Sequence, residues 1–207
     1  MTAGQADELS AGRCLDGGAH TYDVLILAGG SARRLGGVDK PSVAVGGLPM
    51  LDRVLRATGS AALTVVVGPP RSTVRPVLWT REEPVGGGPV AALGAGLPLI
   101  RAALVLLLAA DLPFLDAATV ATLSERLPDQ QAGRVMFDGQ EHQWLCGAWR
   151  TDALRTALLG VDVHGARLRS LLSPLKPLEV TWDAGPGPAP WTDVDTETDL
   201  KVARSSA

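Results

Sequence analysis

The chain has 207 residues, of which 46% are hydrophobic and 20% are charged. This balance is typical of a globular protein and excludes a disordered one, and the length suits one α/β domain with a full core. The formal net charge of -3 provides no general attraction to nucleic acid or to an anionic membrane surface. Any polyanionic ligand must therefore be held by a local site.

Cysteine usage and hydropathy indicate the cellular compartment that we expect for the protein. Cys14 and Cys146 lie far apart and form no CxxC or Cys/His ligand pattern, which favours a reduced, cytoplasmic protein. The longest apolar stretch, residues 102–110, is too short to cross a bilayer. Residues 1–20 are polar and glycine-rich without hydrophobic periodicity, so we interpret them as a flexible arm before one domain over residues 21–207.

Seven apolar segments predict β-strands. The first is a continuous apolar run that ends at two glycines, as expected for a strand buried on both faces of a parallel sheet. In chain order the predicted strands are residues 22–28, 62–67, 77–79, 103–109, 135–137, 144–149 and 178–182.

Segments with helical spacing of apolar residues lie between the strands. In chain order they are residues 51–57, 90–100, 117–127, 152–159, 167–172 and 197–203. This alternation predicts a Rossmann-like, three-layer α/β/α sandwich with a mainly parallel sheet and right-handed crossovers. Ligands of such sheets bind beyond the carboxyl ends of the strands, so we expect the chemistry there.

Residues 27–40, LAGGSARRLGGVDK, form a glycine-rich loop directly after the first strand. Glycines allow backbone N–H groups to approach a polyphosphate closely, and Arg33, Arg34 and Lys40 add three cations. The segment is neither a Walker A loop nor a dinucleotide-binding G-x-G-x-x-G. A tight βα turn with surface arginines is the alternative interpretation.

This loop resembles the signature of the molybdenum cofactor guanylyltransferase (MobA) family, among the nucleotidyltransferases of GT-A-like fold. Four later segments continue the resemblance, which covers most of residues 22–203. The family transfers GMP from GTP to molybdopterin, releases pyrophosphate and uses Mg²⁺. The resemblance implies that the loop binds the nucleotide through Leu27, Ala28, Gly29, Gly30, Arg33 and Lys40. We expect Lys40, Arg34 and Asp111 to be catalytic.

Asp111 ends the most hydrophobic strand, within the sequence AADLPF. Because burying an unpaired carboxylate is costly, a cation or strong donors should lie nearby. A helix N-cap is the alternative, but Pro113 and Asp116 are better placed to begin the next helix. We therefore favour a Mg²⁺ ligand, and the metal-binding Asp of the resembling family lies in a matching D-x-P segment.

Asp193 and Asp195 alternate in the sequence TDVDTETDL, and we expect Asp195 to complete the metal shell opposite Asp111. The family usually has Asn at both positions, followed by Thr-Pro-Glu, so the choice between the two aspartates stays open. Thr196 is a candidate N-cap for the last helix. An acidic helix start explains Glu197, but it explains the two aspartates less easily.

The sequence REEPVGGGPVAAL, residues 81–93, suggests how the base is recognised. Guanine offers two neighbouring donors, N1–H and the 2-amino group, and a carboxylate of Glu82 or Glu83 can accept both. Glycines bring the backbone close to a ligand, and the Gly88-Pro89 pair resembles the family's own. Gly68 stands where the family has Asn after the second strand. We assign nucleotide binding to these residues: Gly68, Glu82, Glu83, Gly88 and Pro89.

Acceptor recognition is expected on the sequence HQWLCGAWR, where the resemblance implies an acceptor-side strand. His142 and Gln143 could face the pterin, although a lone histidine is more often structural. We expect at least one of Trp144 and Trp149 to belong to the core. Arg167 could contact the acceptor phosphate or belong to a solvated helix face.

The family resemblance implies that the activity is transfer of GMP from GTP to molybdopterin with Mg²⁺ as cofactor. No Ser-His-Asp or Cys-His arrangement is visible, in agreement with direct in-line attack. CMP or another nucleotide transferred to molybdopterin or a sugar phosphate is the closest alternative, and a nucleotide-binding regulatory module without catalysis is another. We expect no nucleic-acid or membrane partner, only transient contacts with other molybdenum cofactor proteins.

Overall fold

The computed structural model describes residues 21–29, 39–182 and 187–206. The predicted arm, residues 1–20, lies outside these ranges, as do the loop residues Gly30, Arg33 and Arg34. Among the helices of the described ranges, none has the length and apolar character needed to cross a membrane.

Seven strands form one sheet in the order β5-β4-β1-β6-β8-β7-β9, and two short strands form a separate hairpin. All seven predicted strands of the sheet are present. Their bounds are β1 Tyr22–Leu27, β4 Leu63–Val67, β5 Leu78–Thr80, β6 Leu104–Ala109, β7 Gly133–Phe137, β8 His142–Arg150 and β9 Leu178–Thr181, and those of the hairpin are β2 Ala44–Val45 and β3 Leu48–Pro49.

The sheet is mainly parallel, as predicted. Only β8 reverses: it runs antiparallel to both of its neighbours, β6 and β7, and every other neighbouring pair in this sheet is parallel. Because two reversals cancel, β7 and β9 point the same way as β1. The ends of β5, β4, β1, β6, β7 and β9 therefore share one edge with the start of β8, and we call this edge the carboxyl edge.

Helices cover both faces of the sheet and make the predicted three-layer sandwich. One face packs against α1 and α3, the other against α2, α4 and α5, and α6 packs beside the hairpin. The bounds are α1 Met50–Ala57, α2 Pro89–Gly96, α3 Ala117–Ser124, α4 Thr151–Leu158, α5 Leu168–Leu172 and α6 Glu197–Ser205.

The continuous apolar run of β1 is explained by these two layers. Val24 and Ile26 face the α1–α3 layer, whereas Leu25 and Leu27 face the α2–α4–α5 layer. Every residue of β1 is buried, and burial of one such side chain stabilises the fold by about 1.5–3 kcal/mol. The central strands thus form a rigid base for the loops at the carboxyl edge.

Several local features differ from the sequence prediction. The helix predicted over residues 117–127 ends at Ser124. The helix predicted over residues 90–100 ends at Gly96 and continues as a 3₁₀ turn, Leu97–Leu99, because Pro98 has no N–H to donate to an α-helical bond. The hairpin of β2 and β3 was not predicted. It turns at Gly46 and Gly47, which have φ angles of 57° and 81°.

Candidate functional site

Lys40, Asp111 and Asp195 meet at the carboxyl edge, although they are far apart in sequence. Asp111 follows β6, Lys40 opens a short 3₁₀ turn (Lys40–Ser42), and Asp195 lies just before α6. The Nζ of Lys40 donates a hydrogen bond to Oδ1 of Asp195 at 2.6 Å, and it forms an ion pair with the Asp111 carboxylate. The structure therefore brings three predicted site residues to one point.

The cluster carries more carboxylate than ammonium charge. The side chains of Lys40 and Asp111 are only 19% and 20% exposed. Burial of the ammonium opposes its charge, but the Asp111 and Asp195 carboxylates more than offset this effect and raise the pKa of Lys40. Partial burial of the Asp193 carboxyl, followed by the Asp195 and Asp111 charges, raises the pKa of Asp193. Lys40 stays charged here, and the surrounding field favours an additional cation.

The donor set suits Mg²⁺, which usually takes one or two carboxylates together with substrate phosphates and water. Both Asp111 and Asp195 reach the same ammonium nitrogen, so both can reach a single cation. Asp193 makes no direct contact with Lys40 in the ion pairs and hydrogen bonds of the described residues. Within the same ranges, no group of three or more His, Cys, Asp or Glu side chains could hold a metal ion.

The ends of β1, β4 and β5 are locked together where the glycine-rich loop begins. Ala28 N donates to Val67 O at 2.8 Å, and Gly68 N donates to Thr80 O at 2.9 Å. Gly68 has a φ of 153°, and a Cβ added there would lie 2.8 Å from the carbonyl oxygen of Ala28. Gly68 therefore permits a close approach that a side chain, including that of Asn, would prevent.

Glu82 is buried, whereas Glu83 is exposed. Only 7% of the Glu82 surface is accessible, and its Oε1 accepts a hydrogen bond from Gly86 N at 3.1 Å. Its Oε2 is buried and has no hydrogen-bond partner among the described residues. A Cβ added to Gly29 would lie 3.7 Å from Oε1 and 4.0 Å from Oε2. Of the two predicted glutamates, Glu82 is therefore the buried one, and its carboxylate lies close to Gly29.

The Gly88-Pro89 pair begins α2, and a second loop lies against it. Gly88 is the N-cap with a φ of 91°, and Pro89 is the first helical residue. Gly87 O accepts a hydrogen bond from Gly165 N at 2.9 Å. A Cβ at Gly87 would lie 3.0 Å from Nδ1 of His164, so the loop before α5 packs tightly against this glycine turn.

The predicted acceptor residues His142 and Gln143 stand at the start of β8, which is at the carboxyl edge. Nε2 of His142 and Oε1 of Glu179 lie 2.9 Å apart, within hydrogen-bonding distance. Ring centroids of His142 and Trp144 are 4.8 Å apart. The Gln143 amide donates to Oδ2 of Asp138 at 2.9 Å. These side chains form a half-exposed polar and aromatic surface on the far side of β6 from Glu82.

The two tryptophans of β8 have different environments, and Arg167 lies beyond them. Trp149 is fully buried and belongs to the core, whereas Trp144 is half-buried and stacks on it with ring centroids 6.4 Å apart. Arg167 is exposed and is the N-cap residue of α5. The helix that Arg167 precedes, α5, packs against both α2 and β8.

Three residues near the site were not singled out from the sequence: Arg71, His164 and Glu179. Each contacts its partner across a long stretch of chain, so no local spacing marks it. The one local signal concerns Arg71, whose partner is Asp39, the residue directly before Lys40 in the glycine-rich motif.

The fold is similar to that of several solved structures, among them a nucleotidyl transferase. A nucleotidyl transferase from Methanothermobacter thermautotroptrophicus has a TM-score of 0.71 at 17% identity, covering 89% of this chain and 96% of that one. Molybdopterin-guanine dinucleotide biosynthesis protein A from Archaeoglobus fulgidus has a TM-score of 0.66 at 19% identity, covering 88% and 97%. At these identities the likeness shows the fold.

The family is shown by the sequence itself. A family model described as the MobA-like NTP transferase domain matches residues 24–179, and the chain belongs to that family, as the resemblance predicted. A probable molybdenum cofactor guanylyltransferase from Synechococcus elongatus is 38% identical over 95 residues, which is 42% of this chain and 48% of that protein. The chain thus spans about half the length of the curated relatives it matches.

Proposed function

We propose that this protein transfers GMP from GTP to the phosphate of molybdopterin. An oxygen of the acceptor phosphate attacks the α-phosphorus of GTP in line, and a new P–O bond forms. The bond from the α-phosphorus to the bridging oxygen of the leaving group breaks, and pyrophosphate leaves with the electron pair. The observation that carries the proposal is the convergence of Lys40, Asp111 and Asp195 at the carboxyl edge.

Such a reaction needs positioning and charge, and no covalent protein nucleophile. Lys40 is held by Asp111 and Asp195, and it would bind phosphate oxygens of the nucleotide when it exchanges these carboxylates for them. Gly30, Arg33 and Arg34 are proposed to complete the phosphate contacts. Asp111 and Asp195 would hold Mg²⁺, which neutralises phosphate charge when bound.

Guanine selection is proposed to depend on Glu82. Its buried Oε2 has no hydrogen-bond partner among the described residues, and such a group is costly unless a ligand supplies a donor. The N1–H and 2-amino groups of guanine are two parallel donors that one carboxylate can accept. Cytosine lacks this pair, so the same carboxylate should discriminate against CTP.

The acceptor is proposed to bind on the other half of the edge. His142 and Gln143 would face the pterin, and the half-buried Trp144 ring adds a surface on which a flat heterocycle can stack. Arg167 would contact the acceptor phosphate, for which a guanidinium is well suited. The attacking phosphate would then lie between the two halves, close to Asp111.

Pyrophosphate release tests this proposal. The protein with Mg²⁺ is supplied with GTP, CTP, ATP or UTP, each with and without molybdopterin. We expect release with GTP in the presence of molybdopterin only. Equal release from all four nucleotides would reject guanine selection, and release from GTP without an acceptor would reject molybdopterin as the acceptor.

A further inference from the structure

Asp39, directly before Lys40, is held by two side chains. Its Oδ1 accepts a hydrogen bond from Nη2 of Arg71 at 2.9 Å, and its Oδ2 accepts one from the Ser42 hydroxyl. Asp39 is also the N-cap of the 3₁₀ turn that carries Lys40, and its carbonyl accepts a bond from Ser42 N at 2.9 Å. The orientation of Asp39 therefore determines where the Lys40 side chain begins.

Arg71 is in turn fixed to the sheet. Its side chain is 11% exposed, and its guanidinium carbon lies 5.7 Å from the ring centroid of Trp79 on β5. Nη1 of Arg71 is buried without a hydrogen-bond partner among the described residues. Burial lowers the pKa of Arg71, and the Asp39 charge acts in the opposite direction. A guanidinium can stack on a ring and pair with a carboxylate at the same time, which an ammonium does poorly.

We propose that Arg71 is a positioning residue for Lys40. It holds Asp39 against the ends of β4 and β5, and through Asp39 it fixes the turn from which Lys40 reaches the phosphates. This inference rests on the proposed function, since it assumes that Lys40 binds the triphosphate. It assigns to Arg71 a role in nucleotide binding that requires no contact with the nucleotide.

Arg75 provides a matched control, because it is a half-buried arginine four residues further along the same loop. It donates hydrogen bonds to Leu55 O, Thr58 O and the Thr64 hydroxyl, and none of these residues belongs to the site. Calorimetry with GTP and Mg²⁺ should show that Arg71→Met weakens GTP binding about tenfold, the usual scale of a lost charge-assisted hydrogen bond. Arg75→Met should lower Tm and leave the GTP Kd unchanged.

The Lys40→Ala background separates positioning from general stability. In that background Arg71→Met should cause no further loss of GTP affinity, whereas any decrease in Tm that Arg71→Met causes in the wild-type background should persist. Asp39→Asn, a milder change, should weaken GTP binding in the same Lys40-dependent way. The inference is overturned if Arg71→Met leaves the GTP Kd unchanged, or if it raises this Kd by the same factor in the wild-type and Lys40→Ala backgrounds. The proposed function stands in either case. Unaltered GTP affinity in Lys40→Ala itself would reject both.

Discussion

At the scale of single residues, the site depends on how one ammonium and two carboxylates share a small volume. Lys40 lies between Asp111 and Asp195, and these carboxylates keep it protonated by raising its pKa despite its burial. A charged, half-buried lysine is a strong phosphate ligand because little water competes for it. The same two carboxylates are the proposed metal ligands.

Lys40→Ala should therefore remove most of the turnover while the fold is retained. Loss of one preorganised charge contact in the transition state costs about 100- to 1,000-fold in kcat. Steady-state kinetics with GTP and molybdopterin measure the loss, and circular dichroism checks the fold. Lys201→Ala, on the exposed face of α6, is the control. A variant that turns over like the wild-type protein would remove Lys40 from the mechanism.

Glu82→Gln should weaken GTP binding roughly tenfold and reduce the preference for GTP over CTP. The reason is that the amide presents only one acceptor to the two guanine donors. Glu83→Gln serves as the control, because Glu83 is exposed. This variant should leave the affinities for GTP and CTP unchanged. Calorimetric titration with each nucleotide gives the comparison. An effect confined to Glu83→Gln would transfer base recognition to that residue.

At the scale of elements, the neighbouring strand ends of β1 and β4 fix Ala28, near the start of the glycine-rich segment, through the Ala28 N–H bond to Val67 O. Gly68→Ala should destabilise the protein by about 1–3 kcal/mol and weaken GTP binding, because the new Cβ meets the Ala28 carbonyl in a strained conformation. Gly139→Ala is the control that separates backbone strain from steric overlap. Gly139 also has a positive φ, of 94°, but no atom lies within 4 Å of an added Cβ. Urea unfolding should show the larger loss for Gly68→Ala; equal losses would mean that the close approach is unimportant.

The start of α6 places Asp195 through a capping box. The Thr196 hydroxyl accepts a bond from Asp199 N at 3.1 Å, and Oδ2 of Asp199 accepts bonds from the backbone N–H groups of Thr196 and Asp195. Thr196→Ala should cost about 1 kcal/mol of unfolding free energy and should lower kcat/KM, because Asp195 loses its anchored neighbour. Thr198→Ala, in the first turn of the same helix, should change neither quantity. Unfolding and kinetics on both variants decide the point.

The central strands β1 and β6 were predictable from sequence because their side chains are buried on both faces of the sheet. Runs such as residues 22–28 contain no polar residue after Asp23, and even this carboxylate is satisfied by Arg101 N and Ala102 N. The hairpin over residues 44–49 has strands of two residues, too short to show any periodicity. Its role beside α6 depends on packing, which local spacing does not reveal.

The site was predictable only where the motif itself carried the chemistry. Lys40 and Asp111 follow from a glycine-rich loop and from a lone carboxylate after an apolar strand. Glu82 could not be separated from Glu83, since both are adjacent carboxylates and only the fold buries one of them. Arg71 belongs to the same group, because its partner Asp39 is 32 positions away.

At the scale of the whole molecule, the residues that we propose for binding the two substrates lie along one sheet edge. Glu82 and Gly68 lie near β5 and β4 on one side of β1, and His142 lies on β8, beyond β6. Asp111 follows β6 and stands between them. The reversal of β8 is what brings His142 to this edge, because a parallel strand in its place would present Arg150 there instead.

The most direct test of the account follows the α-phosphorus of GTP. Wild-type protein and Asp111→Asn are given Mg²⁺, molybdopterin and GTP labelled at the α-phosphorus, and the pterin product is isolated. We expect labelled GMP joined to the molybdopterin phosphate, in one-to-one ratio with released pyrophosphate. The Asp111→Asn variant should fold like the wild-type protein and transfer no label. Label that stays in GTP or appears as free GMP, or full transfer by Asp111→Asn, would contradict the account.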